Sequence, residues 1–340
     1  MKVRLEYYDI LRGGGILAVI AIHTTGNMDD LYHTSQMSFH LAVIWRQIVG
    51  FAVPLFLAIS GYFLSKKSVH DKDSYTSFLS KQIPRVYIPM LVWSLPLLAL
   101  NLFFKDTNIT NSLILFSIGG FSVYYFIALI MQYYLLLPFL QRIANKKGLI
   151  VSTIISFISL AIFFYLTKIK LLSIPLILYA GPFPVWLMFF ALGLYLGRNK
   201  ILTSKMILFV FVLIGLFISI AETYYIFNFT DSFQGLGIKI GAFIYSFAII
   251  LLLFSLEYEP KKKNIFWRLM AYIGRISFGI YLIHIYILSY IVRIAANEMV
   301  FSSYLLEQLF SIFVTALISI VVISGARAIN KSLAVKYLGF

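Results

Sequence analysis

Hydrophobic positions along the chain fall into long apolar runs that are separated by short polar stretches. An α-helix needs about 20 apolar residues to cross a bilayer. The pattern predicts ten transmembrane helices, over residues 7–25, 42–64, 86–104, 123–141, 149–167, 182–198, 205–227, 237–256, 272–292 and 305–327. Segment 171–181 is too short to span and contains Pro175, so it predicts a re-entrant or interfacial piece. The fold class is therefore an all-α polytopic membrane protein, with one domain over residues 1–340.

The distribution of lysine and arginine predicts the orientation of these helices. Most of the 28 cations fall in alternate loops, which are predicted to be cytoplasmic under the positive-inside rule. Arg12 and Arg46 lie within predicted spans, and the opposite loops carry Lys105, Lys168, Lys170, Lys239 and Arg293. This alternation places both termini in the cytoplasm and agrees with an even number of helices.

Composition excludes several classes of function. The chain is 61% hydrophobic and 12% charged, and its mean hydropathy is +0.91, so a soluble domain is excluded. The net charge of +15 lies in short loops rather than on a basic face, so we expect no nucleic-acid partner. The chain has no cysteine, which excludes disulfides, thiolate metal sites and cysteine nucleophiles.

The first predicted helix carries charged and titratable residues that a lipid-facing helix disfavours. Arg12 and His23 are eleven residues apart, so they lie about 20° from one another around the helix and about 16 Å apart along it. Asp9 precedes Arg12 by three residues and can pair with it. Intramembrane ionisable residues usually face a polar cavity. A histidine there suits general-base catalysis, and an arginine at the cytoplasmic end suits a phosphate-bearing ligand.

Structural explanations of the same residues stay open. Arg12 could extend to the cytoplasmic interface, and His23 could be a hydrogen-bonded residue at the outer boundary. The run Gly13–Gly15 disfavours a helix, so it indicates close approach either of another helix, which is the commoner case, or of a ligand.

Two further residues are weaker candidates for the same site. His284 could line the cavity or make an interhelical hydrogen bond, and Glu222 could hold sugar hydroxyls or be an interfacial acid. Arg46 is expected to extend to the outer interface. The spacing of His, Asp and Glu predicts no metal site.

Several motifs resemble the membrane-bound acyltransferase family 3, which includes bacterial O-acetylases of surface glycans. The first and last are the most specific: YYDILRGGGILAVIAIH at Tyr7–His23 is similar to the family's opening helix, and ISFGIYLIH at Ile276–His284 to a late helix. The others are PLFLAISGYFLSKK at Pro54–Lys67, FLSKQIPRVYIPMLVW at Phe78–Trp93, YYFIALIMQYYLLLP at Tyr124–Pro138 and FFALGLYLG at Phe189–Gly197.

The resemblance implies an O-acyltransferase in the bacterial inner membrane. It implies acyl-CoA, usually acetyl-CoA, as donor substrate, a hydroxyl of a surface glycan or lipid-linked sugar as acceptor, and no permanently bound cofactor. Arg12, Lys81 and Arg85 would bind the donor phosphates, His23 would act as general base, and Asp9 would orient Arg12. The family commonly has two arginines where Lys81 and Arg85 stand here.

Two alternatives from other classes of function are considered. A polar path across ten helices also suits an exporter or flippase of a polysaccharide or lipid-linked sugar, but the sequence shows no internal repeat of the kind common in transporters. A scaffold or sensor without chemistry would leave the charges in the first helix unexplained.

Overall fold

The computed structural model describes residues 6–25, 32–33, 35–104, 108–170, 172–230, 237–256, 264–298 and 303–340, and every regular element in these ranges is a helix. We number the helices in chain order: α1 Glu6–Thr24, α2 Gln36–Val49, α3 Ala52–Leu64, α4 Lys72–Phe104, α5 Ile109–Ile118, α6 Tyr125–Arg142, α7 Lys146–Phe164, α8 Leu176–Ala180, α9 Phe183–Leu196, α10 Lys205–Thr230, α11 Ile240–Leu256, α12 Ile265–Arg275, α13 Ser277–Glu298 and α14 Tyr304–Leu333.

A helix lies at each of the ten predicted ranges. By length and apolar composition, six of the described helical stretches can cross a membrane, or seven if the bent pair α12 and α13 is one span. The count of ten spans and the cytoplasmic position of both termini therefore stay predictions. Among the residues on which the charge argument depends, Lys2, Arg4, Lys105 and Lys261–Lys263 lie outside the described residues, as does Leu171 of the predicted re-entrant segment.

Some predicted boundaries are wrong because hydropathy does not register breaks or polar extensions of a helix. The predicted helix 42–64 lies within one apolar helical stretch, Gln36–Leu64, which can cross a membrane but begins earlier and is interrupted by a turn at Gly50 and Phe51 between α2 and α3. The predicted helix 272–292 falls across α12 and α13, which meet at 82°. Helix α4 begins at Lys72, so Lys81 and Arg85 lie on a helix rather than in a loop before one.

The outer surfaces of the long helices are apolar, which identifies a membrane protein. On α10, Phe209, Leu213 and Phe217 are exposed, whereas Ser219 and Thr223 are fully buried. Soluble helices have the opposite distribution, with their apolar side facing the core. The described helices therefore present their apolar faces to lipid and bury polar groups against one another.

The described residues group into two compact units. The first unit contains those of Met1–Phe56 and Lys200–Ser324. Within it, α1 packs against α12, α13 and α2, and α10 and α11 form an antiparallel pair. This pair is close because Gly215 lies against the backbone of Tyr245 and Gly241 lies against that of Ser219.

The second unit contains those of Leu57–Asn199 and Gly325–Phe340. Helix α9 is buried on nearly all sides and forms its centre, with α7 and α6 packed against it. Tyr133 of α6 stacks on Phe190 of α9 at 4.3 Å between ring centroids. Arg198, just after α9, donates hydrogen bonds to the carbonyls of Ser65 and Gln141, which ties the ends of α9, α3 and α6 together.

Candidate active site

Helix α1 carries the acid, the arginine and the first histidine of the candidate site on one uninterrupted helix. Arg12 Nη1 donates a hydrogen bond to Asp9 Oδ1 at 3.1 Å, so the predicted pairing is confirmed. The Asp9 carboxylate is buried, at 2% exposure, and the Arg12 side chain is 24% exposed. Asp9 therefore holds one edge of the guanidinium and leaves part of it accessible.

The glycine run of α1 is explained in large part by helix packing. A Cβ atom at Gly13 would overlap the carbonyl oxygen of Met270 in α12, and one at Gly274 would overlap the carbonyl oxygen of Asp9. A Cβ at Gly15 would lie 3.2 Å from the Phe56 ring. Gly14 differs, since no atom of the described residues outside its chain neighbours and its own helix backbone lies within 4 Å of its Cβ position. The contacts at Gly13 and Gly274 show that the backbones of α1 and α12 touch next to the Asp9–Arg12 pair.

We expect the adjacent substitutions Gly13→Ala and Gly14→Ala to have opposite effects on stability. The first forces α1 and α12 apart and should lower the unfolding temperature and yield of protein purified from membranes. The second meets no steric obstacle and should be neutral or stabilise the helix by up to about 1 kcal/mol. Thermal unfolding in detergent measures both, and equal effects would contradict the packing explanation.

Two histidines from distant parts of the chain meet in the first unit. The ring centroids of His23 and His284 are 5.4 Å apart, and the rings are inclined at 47°. His23 is exposed, whereas His284 is fully buried. The structure thus brings together two of the residues that the sequence singled out, on α1 and α13.

The tautomer of His284 follows from its hydrogen bond. His284 Nδ1 lies 2.7 Å from the carbonyl oxygen of Tyr281, and a carbonyl can only accept, so Nδ1 carries the proton. In the neutral ring, Nε2 then has a free lone pair. This atom is buried and has no hydrogen-bond partner among the described residues. His284 can therefore accept a proton or hydrogen bond from a group that comes to the pair.

Arg46 of α2 lies at the end of α1 that carries His23, a contact that sequence reasoning did not identify. Arg46 was expected to extend to the outer interface, but its Nη1 donates to Thr25 Oγ1 at 3.0 Å. Its charge also lies within electrostatic range of His23. An arginine inside a predicted span was the available signal, but the partner was not identifiable because α1 and α2 meet only in the folded chain.

Lys81 and Arg85 lie in the second unit, on α4. Arg85 is exposed, and Lys81 lines a cavity of about 250 Å³. This cavity adds Lys67, which the sequence did not distinguish from other loop cations, and is completed by Ser68, Ser74, Ser77, Phe78 and Gln82. Two lysines and several hydroxyl groups can bind a phosphate.

A carboxylate stands beside this cavity. Asp71 Oδ2 accepts a hydrogen bond of 2.6 Å from the Ser74 hydroxyl, and Oδ1 accepts one of 2.8 Å from the Ser74 backbone N–H. These bonds hold the pKa of Asp71 below its usual value, so the group is ionised at neutral pH. Ser74 is thus engaged, and the remaining donors for an anion come from the lysines and the other serines.

Glu222 has a structural role in the first unit. Its Oε2 accepts a hydrogen bond of 2.6 Å from the backbone N–H of Gly241 in the first turn of α11, and it lies 3.6 Å from Lys239 Nζ. Lys239 in turn donates to the carbonyl and hydroxyl oxygens of Ser219. The carboxylate is therefore used in joining α10 to α11. Among the described residues, no group of three or more His, Asp or Glu side chains is arranged to hold a metal.

Comparison with known proteins gives the family. The family described as "Acyltransferase domain" matches residues 5–324. The chain belongs to this family. Among curated proteins, this family member is similar to nodulation protein NolL of Sinorhizobium fredii (strain NBRC 101917 / NGR234), with 26% identity over 205 residues. The match covers 59% of this chain and 52% of NolL, so the chain matches about half the length of that relative. No solved structure gives a significant match.

The range matched by the family contains residues of both units. The match confirms the resemblance that the motifs indicated. All seven candidate residues lie within the matched range: Asp9, Arg12, His23, Lys81, Arg85, Glu222 and His284. In this family member, the structure places Asp9 with Arg12 and His23 with His284 in the first unit, and places Lys81 at a cavity in the second.

Proposed function

We propose that this protein is an O-acyltransferase of the bacterial inner membrane that transfers an acetyl group from acetyl-CoA to a hydroxyl of a surface glycan or lipid-linked sugar. The observation that carries the proposal is the histidine pair, in which accessible His23 lies beside His284, whose Nε2 is a buried acceptor. Such a pair suits removal of a proton from a hydroxyl nucleophile. Membership of the acyltransferase family supports the reaction class.

Each unit, taken by itself, has cations that can bind a phosphate group of the kind that coenzyme A carries. Arg12 is held by Asp9 on one side and is partly accessible on the other, so it can still bind an anion. In the second unit, Lys67 and Lys81 line a cavity suited to a phosphate, and exposed Arg85 lies one helical turn after Lys81. Acetyl-CoA is a substrate in this proposal, and no permanently bound cofactor is required.

The proposed chemical step is a single acyl transfer. His23 removes the proton of the sugar hydroxyl while the hydroxyl oxygen attacks the thioester carbonyl carbon. The new C–O bond forms, the C–S bond breaks, and protonated His23 returns its proton to the departing thiolate, which yields the sugar ester and free coenzyme A. His284, with its lone pair fixed on Nε2, can accept a hydrogen bond from the attacking hydroxyl or from the His23 ring.

Membranes that contain the protein should incorporate label from acetyl-labelled acetyl-CoA into glycan, whereas membranes from cells without the gene should not. Mass spectrometry of the host's surface glycans with and without the gene should show a mass difference of one acetyl ester. Transport of a lipid-linked glycan without acylation would contradict the proposal and support the exporter alternative. A mass difference that corresponds to an ester of another acyl group would correct only the assignment of acetyl as the transferred group.

A further inference from the structure

Helix α14 carries a buried polar face within the first unit. Its members are spaced by three or four residues, so they form one stripe along the helix, and each is at most 9% exposed: Tyr304, Gln308, Ser311, Thr315 and Ser319. The opposite side is apolar and exposed, as at Leu309, Phe313 and Leu317. The stripe therefore faces the protein rather than lipid.

Several polar atoms of this stripe have no hydrogen-bond partner among the described residues. They are the Tyr304 hydroxyl, Gln308 Oε1 and Thr315 Oγ1, and all three are buried. Ser319 differs, because its hydroxyl donates to the carbonyl oxygen of Thr315 at 2.7 Å. A buried polar atom without a partner is costly, especially inside a membrane. Such atoms indicate a surface that a polar ligand completes.

The N-terminal end of the stripe, at Tyr304, lies beside α2, the helix that carries Arg46. Tyr304 belongs to one buried apolar cluster with Phe39, Ala42 and Val43, and Arg46 follows Val43 within one turn of α2. Arg46 Nη1 also donates a hydrogen bond of 3.0 Å to Thr25 Oγ1, two residues after His23. Arg46 thus connects the polar face of α14 to the histidine pair through residues of one unit.

We propose that Tyr304, Gln308 and Arg46 form the subsite that binds the acceptor, a neutral sugar whose reacting hydroxyl reaches His23. The proposal rests on the proposed acyl transfer for the role of the ligand. Sugar hydroxyls both donate and accept hydrogen bonds, and this set offers an amide acceptor, a hydroxyl of both kinds and a cationic donor. An aromatic ring such as that of Tyr304 can pack on the apolar face of a sugar. Because these atoms are enclosed, binding requires the packing around Tyr304 to open.

Binding and transfer by the purified full-length protein test this subsite separately. The probe is the host surface glycan, freed of esters with mild alkali and cut to neutral oligosaccharides. A bound ligand stabilises the folded protein by an amount that grows with the logarithm of one plus its concentration over Kd, and the unfolding temperature rises accordingly. In Gln308→Leu and Tyr304→Phe, we expect the Kd of the oligosaccharide and its KM in transfer to rise about three- to tenfold, because each change removes one hydrogen bond. The KM for acetyl-CoA should stay constant.

Ser319→Ala is the matched control, since Ser319 lies on the same buried face but its hydroxyl bonds within α14. It should leave both constants unchanged. Tyr304→Phe removes only one oxygen atom, so it can test the subsite by itself if Gln308→Leu does not fold. An unchanged Kd in both α14 variants, or no thermal shift of the wild-type protein with the oligosaccharides, would overturn the subsite. Binding without transfer would refute the acyltransferase proposal alone, and transfer with an unchanged acceptor KM would refute the subsite alone.

Discussion

Replacing His23 with alanine should lower the rate of acetyl transfer by about 10²–10⁴-fold, the usual contribution of a positioned general base. The variant removes the accessible ring of the histidine pair and leaves the Asp9–Arg12 pair in place. The KM for acetyl-CoA should change little, because His23 is not proposed to bind the donor. The measurement is incorporation of labelled acetyl by membranes that contain equal amounts of wild-type and variant protein.

His33→Ala is a suitable control for this substitution. His33 is also exposed, but its ring contact is with Tyr32 rather than with another histidine. The control should therefore transfer acetyl at the wild-type rate. Full activity of His23→Ala at normal abundance would show that the proton is removed by another group, and His284 would be the next residue to replace.

Replacing Arg12 with alanine should raise the KM for acetyl-CoA by about 10- to 100-fold, the range expected for loss of a hydrogen bond to a charged group. The accessible part of the guanidinium is the part proposed to meet a phosphate of the donor. Arg12→Lys keeps the charge but loses the planar geometry of the guanidinium, so its KM for acetyl-CoA should lie between that of the wild-type protein and that of Arg12→Ala. Steady-state kinetics at varied acetyl-CoA and saturating glycan measure the change.

The buried carboxylate of Asp9 complicates Arg12→Ala, because removal of the cation upsets the local charge balance and can destabilise the protein. The double variant Asp9→Asn with Arg12→Ala removes both charges. It should recover thermal stability relative to the single variant but not affinity for the donor. If the double variant also recovered the wild-type KM, Arg12 would act on the fold rather than on acetyl-CoA.

Local features of the candidate site could be predicted from the sequence, whereas tertiary ones could not. The Asp9–Arg12 pair is a contact between residues three apart on one helix, so the spacing alone determines it. The meeting of His23 with His284 depends on how α13 packs against α1, and sequence reasoning left open whether His284 lines the same cavity or makes an interhelical hydrogen bond. Glu222 was interpreted as a sugar-binding or an interfacial acid, and its hydrogen bond from the Gly241 N–H in the first turn of α11 could not be predicted because it forms between two separate helices.

The fold shows the same division between composition and packing. Apolar runs located the helices, because the hydrophobic requirement of a membrane acts on every residue of a span. The break at Gly50 and the 82° corner between α12 and α13 left no trace in hydropathy, since both lie inside apolar stretches. The polar stripe of α14 was also overlooked, because five polar residues in a long apolar helix barely change its average.

The backbones of α1 and α12 are in close contact at Gly13 and Gly274, so there is little space between the two helices at these positions. His23 lies on α1, whereas His284 lies on α13. Helix α13 departs from α12 at the corner formed by Ile276. The separation of the two rings therefore depends on the 82° angle between α12 and α13 as well as on the packing of α13 against α1. A residue at the corner can tune the histidine pair from eight positions away in sequence, so control of the proposed chemistry is not confined to the residues that perform it.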